Sequence, residues 1–111
     1  MFYRQTDEGY VEVVPGVRLK ALAYGERTLL AEFRLKKGNK LPRHAHLYEQ
    51  TGYLVAGRIL LTIGDETFDA SPGDSWSIPG HVEHEAEILE DSVATETFSP
   101  LREDYLPGNL K

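Results

Sequence analysis

All four histidines of this chain fall in two short windows. The first reads Gly38-x5-His44-x-His46-x3-Gln50-x6-Gly57 and the second Gly73-x5-Pro79-x4-His84, with His81 between Pro79 and His84. On an extended strand, side chains two apart point to one face, so His44 and His46 aim into one space and Gln50 shares their parity. A neighbouring strand can deliver His84 to the same point. Imidazole nitrogens and a carboxamide oxygen converging from different directions are the donors of a divalent-metal site, whereas an isolated His-x-His would be an ordinary surface or hydrogen-bonded pair. His81 does not fit a ligand position. It reads as a solvated turn residue, with contact to a substrate as the other option.

Composition narrows the chemistry further. The chain has 111 residues and no cysteine, so disulfides, thiolate nucleophiles and zinc-thiolate sites are excluded and any metal is held by nitrogen and oxygen. One domain spanning residues 1–111 is expected. A formal charge of -6 argues against a nucleic-acid partner. Basic residues concentrate between Arg18 and Arg43 and acidic ones between Glu83 and Asp104, an asymmetry that neighbouring strands can cancel. The first ten residues lack the basic start and apolar run of a signal peptide, and no segment has the roughly 20 apolar residues of a membrane span, so a cytoplasmic location without membrane contact is expected.

The elements that must position the donors read as strands. No stretch shows a capped 3.6-residue apolar period, and turn signals such as Pro15-Gly16, Gly64-Asp65, Ser71-Pro72-Gly73-Asp74 and Pro79-Gly80 punctuate short β-like runs. About ten strands are expected: 11–14, 17–24, 28–35, 44–50, 53–56, 58–63, 66–70, 75–78, 83–89 and 93–99. Evenly spaced turns of this kind imply a sandwich or barrel, followed by an irregular or briefly helical tail over 100–111.

The two windows, at 38–57 and 73–88, resemble the paired motifs of the cupin superfamily. The resemblance implies an all-β, double-stranded β-helix of the jelly-roll type, with one divalent ion (nickel, zinc, manganese or iron) at His44, His46, Gln50 and His84. Cupins commonly have Glu where the spacing from both His46 and Gly57 selects Gln50 rather than Glu49. His81 stands where a Gly is usual and Ile88 where an Asn is common. Three neutral imidazoles and a neutral amide leave the charge of the ion uncompensated, which favours Lewis-acid chemistry over oxidation through a ferric state.

Beyond the windows, Glu96 and Phe98 share one face of the last strand. If bulky Phe98 faces the core, Glu96 goes in with it; if Val93 marks the core face, Glu96 is solvated. Arg102 is either a surface ion pair to Glu103 or Asp104 or a two-point clamp for a carboxylate. The Glu96-x-Phe98-x3-Arg102 arrangement and the run from Phe98 to Leu106 resemble a bacterial cupin family of pectin and alginate breakdown that opens 4,5-unsaturated monouronates into linear keto sugars. That resemblance implies Glu96 as general acid/base, in a position where the family uses Asp, and Arg102 as a catalytic clamp on an anionic sugar. Phe98, Tyr48 and Trp76 are the candidates for packing on the substrate. A homodimer is expected from family habit. The competing readings are a ferrous dioxygenase or other small-molecule cupin enzyme, and a sugar-binding cupin without catalysis.

Overall fold

The structure, a computed structural model, describes residues 1–110. It is all-β: β1 (Val11–Val14), β2 (Val17–Tyr24), β3 (Leu29–Leu35), β4 (Lys40–His44), β5 (Glu49–Ile63), β6 (Glu66–Ala70), β7 (Ser75–Ile78) and β8 (His84–Ser99), with one 3-10 turn at Glu103–Tyr105. Every pairing is antiparallel. Among the described residues, no helix is long and apolar enough to cross a membrane.

β5 and β8 run the length of the molecule and pair with each other throughout, from Glu49 opposite Ser99 to Ile63 opposite His84. The N-terminal half of β5 pairs with β7, and its C-terminal half with β6. Correspondingly, the C-terminal half of β8 pairs with β3 and its first residues with β4. One layer is therefore β1-β2-β3-β8-β5-β7 and the other β4-β8-β5-β6, and a single apolar cluster joins Leu29 and Phe33 of the first to Ile59, Leu61 and Ile88 of the second. This is a double-stranded β-helix.

The ten expected strands are eight, because two apparent breaks are bends. Gly57 takes φ 93°, which only glycine adopts freely, and a Cβ there would overlap Ser92 and the Asp91 carbonyl. Ser92 Oγ accepts from the Arg58 N–H at 3.0 Å and donates to the Glu90 carbonyl at 2.7 Å, so the kinked strands stay stitched and continuous. The expected strand over 44–50 is the other correction. β4 ends at His44 and β5 begins at Glu49, which leaves His46 on a connecting loop.

Alternation sets which side chains face inward. Val17, Leu19, Leu29, Ala31, Leu54, Ile59, Ile88, Ala94 and Phe98 are buried, and each large apolar side chain so placed stabilises the fold by roughly 1.5–3 kcal/mol. Phe98, at 1% exposure, fixes the parity of β8: a one-residue slip would expel it together with Ala94, Glu96 and Ala86. Part of the charge asymmetry cancels where β4 meets the start of β8. Lys40 lies opposite Glu87, and Arg43 pairs with Glu83 at 3.4 Å and Glu85 at 3.5 Å.

Candidate active site

His44 and His84 sit directly opposite each other at the ends of β4 and β8, with ring centroids 4.3 Å apart. The loop after β4 turns His46 back toward them, at 5.7 Å from His44 and 5.0 Å from His84. One ligand nitrogen from each of the three lies within 4.8 Å of the others. Their shared direction comes from a strand end and a loop, not from two positions on one strand.

Backbone carbonyls orient each ring. His44 Nδ1 lies 2.7 Å from the Pro42 oxygen, His46 Nδ1 3.1 Å from that of Tyr48, and His84 Nδ1 2.9 Å from that of Val82. A carbonyl can only accept, so an Nδ1–H that donates leaves the Nε2 lone pair free for a cation. His84 Nε2 is buried with no hydrogen-bond partner. Burial also lowers the His84 pKa to about 4, so a proton is a poor occupant of that position.

His46 makes the same point from the other side. It has a carbonyl oxygen against each ring nitrogen, with Gln50 Oε1 3.0 Å from Nε2 opposite the Tyr48 contact. A neutral imidazole has one proton to donate, so only one of these contacts is a hydrogen bond. Burial, and then the positive charge of Arg102, lower its pKa and disfavour a second proton. A cation between Nε2 and Oε1 satisfies both lone pairs, and the donor set fits a divalent metal ion on this ground.

Gln50 is buried while its neighbour Glu49 is exposed, as the spacing selected. The Gln50 amide turns its oxygen toward the histidines because Nε2 donates to Glu96 Oε2 at 2.9 Å. Glu96 faces inward beside Phe98 at 6% exposure; Val93, on the opposite face, is not the core residue. Trp76 Nε1 donates to the same carboxylate, at 2.8 Å to Oε1 and 3.2 Å to Oε2. Burial pushes the Glu96 carboxyl up to about 7, against the two hydrogen bonds, which favour its charged form. A carboxyl poised there can donate and accept a proton near neutrality.

Arg102 makes the expected ion pair to Asp104 and also lines the cavity. Its Nε lies 3.3 Å from either oxygen of Asp104, yet its side chain is only 12% exposed and lines the same cavity as His44, Gln50, His84 and Glu96. The guanidinium carbon sits 3.8 Å from the Tyr105 ring centre, 4.9 Å from Phe98 and 5.2 Å from Tyr48. The Asp104 contact uses Nε and not the terminal NH2 groups. The tail is therefore part of the site, since its 3-10 turn seats Tyr105 edge-on against Phe98 at 5.3 Å and against Phe33 at 6.2 Å. Burial raises the Tyr105 pKa to about 12, which keeps its hydroxyl neutral.

Sequence reasoning missed Tyr105 and gave Trp76 a different task. The signal for Trp76 was an isolated glycine inside a strand, Gly52, which marks a close approach of neighbours. His81 lies on an exposed turn whose N–H donates to the His46 carbonyl at 2.7 Å, and it is the non-glycine residue with positive φ, at 68°, among those described.

A cupin-domain family model matches residues 31–98, more than half of the chain. The chain belongs to the cupin family. The pectin degradation protein KdgF of Dickeya dadantii (strain 3937) is 25% identical to this cupin over 107 residues, covering 95% of this chain and 97% of that protein. The structure of KdgF from Halomonas sp. superposes with a TM-score of 0.89 at 30% identity, covering 96% of this chain and all of that one. Oxalate decarboxylase of Bacillus subtilis, studied for its Mn(II) centres, superposes with a TM-score of 0.67 at 25% identity over 76% of this chain and 25% of that one.

Proposed function

We propose that this cupin holds one divalent metal ion at His44, His46, Gln50 and His84 and opens 4,5-unsaturated monouronates, released from pectin or alginate, into linear keto sugars. The observation that carries this reading is the buried Glu96 carboxyl, with its pKa near 7, tied to the amide whose oxygen faces the histidine triad. The likeness to KdgF, a pectin degradation protein, supports the substrate class. When bound, the ion supplies positive charge that attracts anionic substrate oxygens and draws electron density from them.

Arg102 receives the substrate carboxylate through its terminal NH2 groups, held by the ring faces of Tyr105, Phe98 and Tyr48. The protonated Glu96 carboxyl delivers a proton to C4 of the cyclic enol ether. It then takes one from the water whose oxygen bonds to C5. The resulting hemiketal collapses as the C5–ring oxygen bond breaks and the C5 hydroxyl proton passes to the ring oxygen. C1 now bears two hydroxyls and sheds water, so the net change is an isomerisation. Phe98 and Tyr105 exclude other water from the reacting carbons.

The test mixes the purified, metal-loaded protein with monouronates from a lyase digest and follows their ultraviolet absorbance. Loss of absorbance with one ion per chain by elemental analysis supports the proposal, and abolition of both in His84→Ala assigns the site. Binding without turnover would favour the sugar-binding alternative, and oxygen uptake a dioxygenase.

A further inference from the structure

Gly52 on β5 lies opposite Trp76 on β7 and opposite Glu96 on β8, so the three occupy one row across three adjacent strands. A Cβ on residue 52 would overlap both the Trp76 indole nitrogen and Glu96 Oε2. With no side chain between them, the indole crosses the central strand and its N–H reaches both carboxylate oxygens. The Gln50 amide, two residues along β5, reaches Oε2 as well. Two donors, one from β7 and one from β5, therefore hold the carboxylate.

We propose that Trp76 is a positioning residue for Glu96, and that Gly52 is the vacancy through which it acts. This deepens the proposed reaction and rests on it for its kinetic consequence alone. Trp76 lies between the cavity and an outer cleft between β6 and β7, and its ring is part of the wall of both. Its contact with the reaction runs through the carboxyl group: by engaging both oxygens it denies Glu96 rotation about its last bond, leaving a fixed lone-pair direction for the proton transferred to the substrate. Misalignment of an acid/base group raises the barrier without removing the group. Gly52→Ala and Trp76→Phe should therefore impair the same step by different means, one by displacing the indole and the other by deleting its donor.

The chain contains a single tryptophan, which gives the test a direct readout. Its indole N–H resonance is expected far downfield and slow to exchange, to move on Glu96→Gln, and to lose its protection in Gly52→Ala. With monouronates, Trp76→Phe should lower kcat on the order of ten-fold or more while KM changes less than three-fold. An indole N–H that exchanges as fast as an exposed one and is indifferent to Glu96→Gln would overturn the inference. So would a folded Trp76→Phe protein with the parental kcat. If the parent itself turns over no monouronate, the proposed reaction fails, while the resonance still decides whether Trp76 holds Glu96.

Discussion

Gln50 donates its amide N–H to Glu96 at 2.9 Å while its oxygen lies 3.0 Å from His46 Nε2. An amide performs both tasks whether or not Glu96 is protonated, whereas a carboxylate would offer an acceptor to the triad and a second acceptor to an ionised Glu96. Gln50, where cupins commonly have Glu, suits a buried acid next door. Gln50→Glu is expected to keep a divalent ion but to force one of two adjacent carboxyls to hold a proton, lowering turnover by roughly 10²-fold. Elemental analysis with steady-state rates checks this, and parental turnover would separate the amide from the chemistry.

Two buried groups bend the pH dependence of stability in opposite directions. His84 titrates at about 4 when folded and near 6.5 when unfolded, so the unfolded chain binds more protons in that window and stability rises with pH across it. Glu96 is raised to about 7 from 4.5, so the folded chain binds more protons and stability falls across 4.5 to 7. Glu96→Gln removes the second slope. Metal-free Glu96→Gln protein should therefore gain more stability between pH 4.5 and 6.5 than the metal-free parent, by up to roughly 3 kcal/mol. Urea unfolding at several pH values measures the difference, and parallel profiles would contradict it.

How much of this was legible in the sequence depended on whether a signal was local. β1, β2, β6 and β7 match their expected limits because turn residues bracket them. Gly57 separated two expected strands, 53–56 and 58–63, because a glycine serves a bulge as well as a loop, and only the pairing of β5 with β8 distinguishes the two. The convergence of His44, His46 and His84 was readable although its geometric premise was not, since His46 lies on a loop. Phe98 correctly implied an inward Glu96. The tasks of Trp76 and Tyr105 depend on cross-strand register and on the path of the tail, which no local pattern encodes.

His81 occupies the left-handed region where the family usually has glycine, and a side chain there is strained. His81→Gly should stabilise the protein by roughly 1 kcal/mol, after allowing for the greater freedom of glycine in the unfolded chain. Thermal melting checks the sign. A lower melting temperature would mean that the imidazole makes contacts worth more than the strain.

Arg102→Lys keeps a positive charge but loses the planar fork and most of the stacking on Tyr105 and Phe98. Half-maximal rate should require about ten-fold more monouronate, with a smaller change in kcat. An unchanged KM would place the substrate carboxylate elsewhere.

In the proposed reaction Glu96 is the group that moves the proton. Glu96→Gln preserves shape and an acceptor for Trp76 but cannot exchange a proton, and Glu96→Asp restores the residue used by the resembling family. With metal content verified in each, turnover of 4,5-unsaturated monouronates by Glu96→Gln is predicted to fall roughly 10²-fold or more while Glu96→Asp stays active. Turnover by Glu96→Gln at the parental rate would contradict the mechanism, whatever the metal site holds.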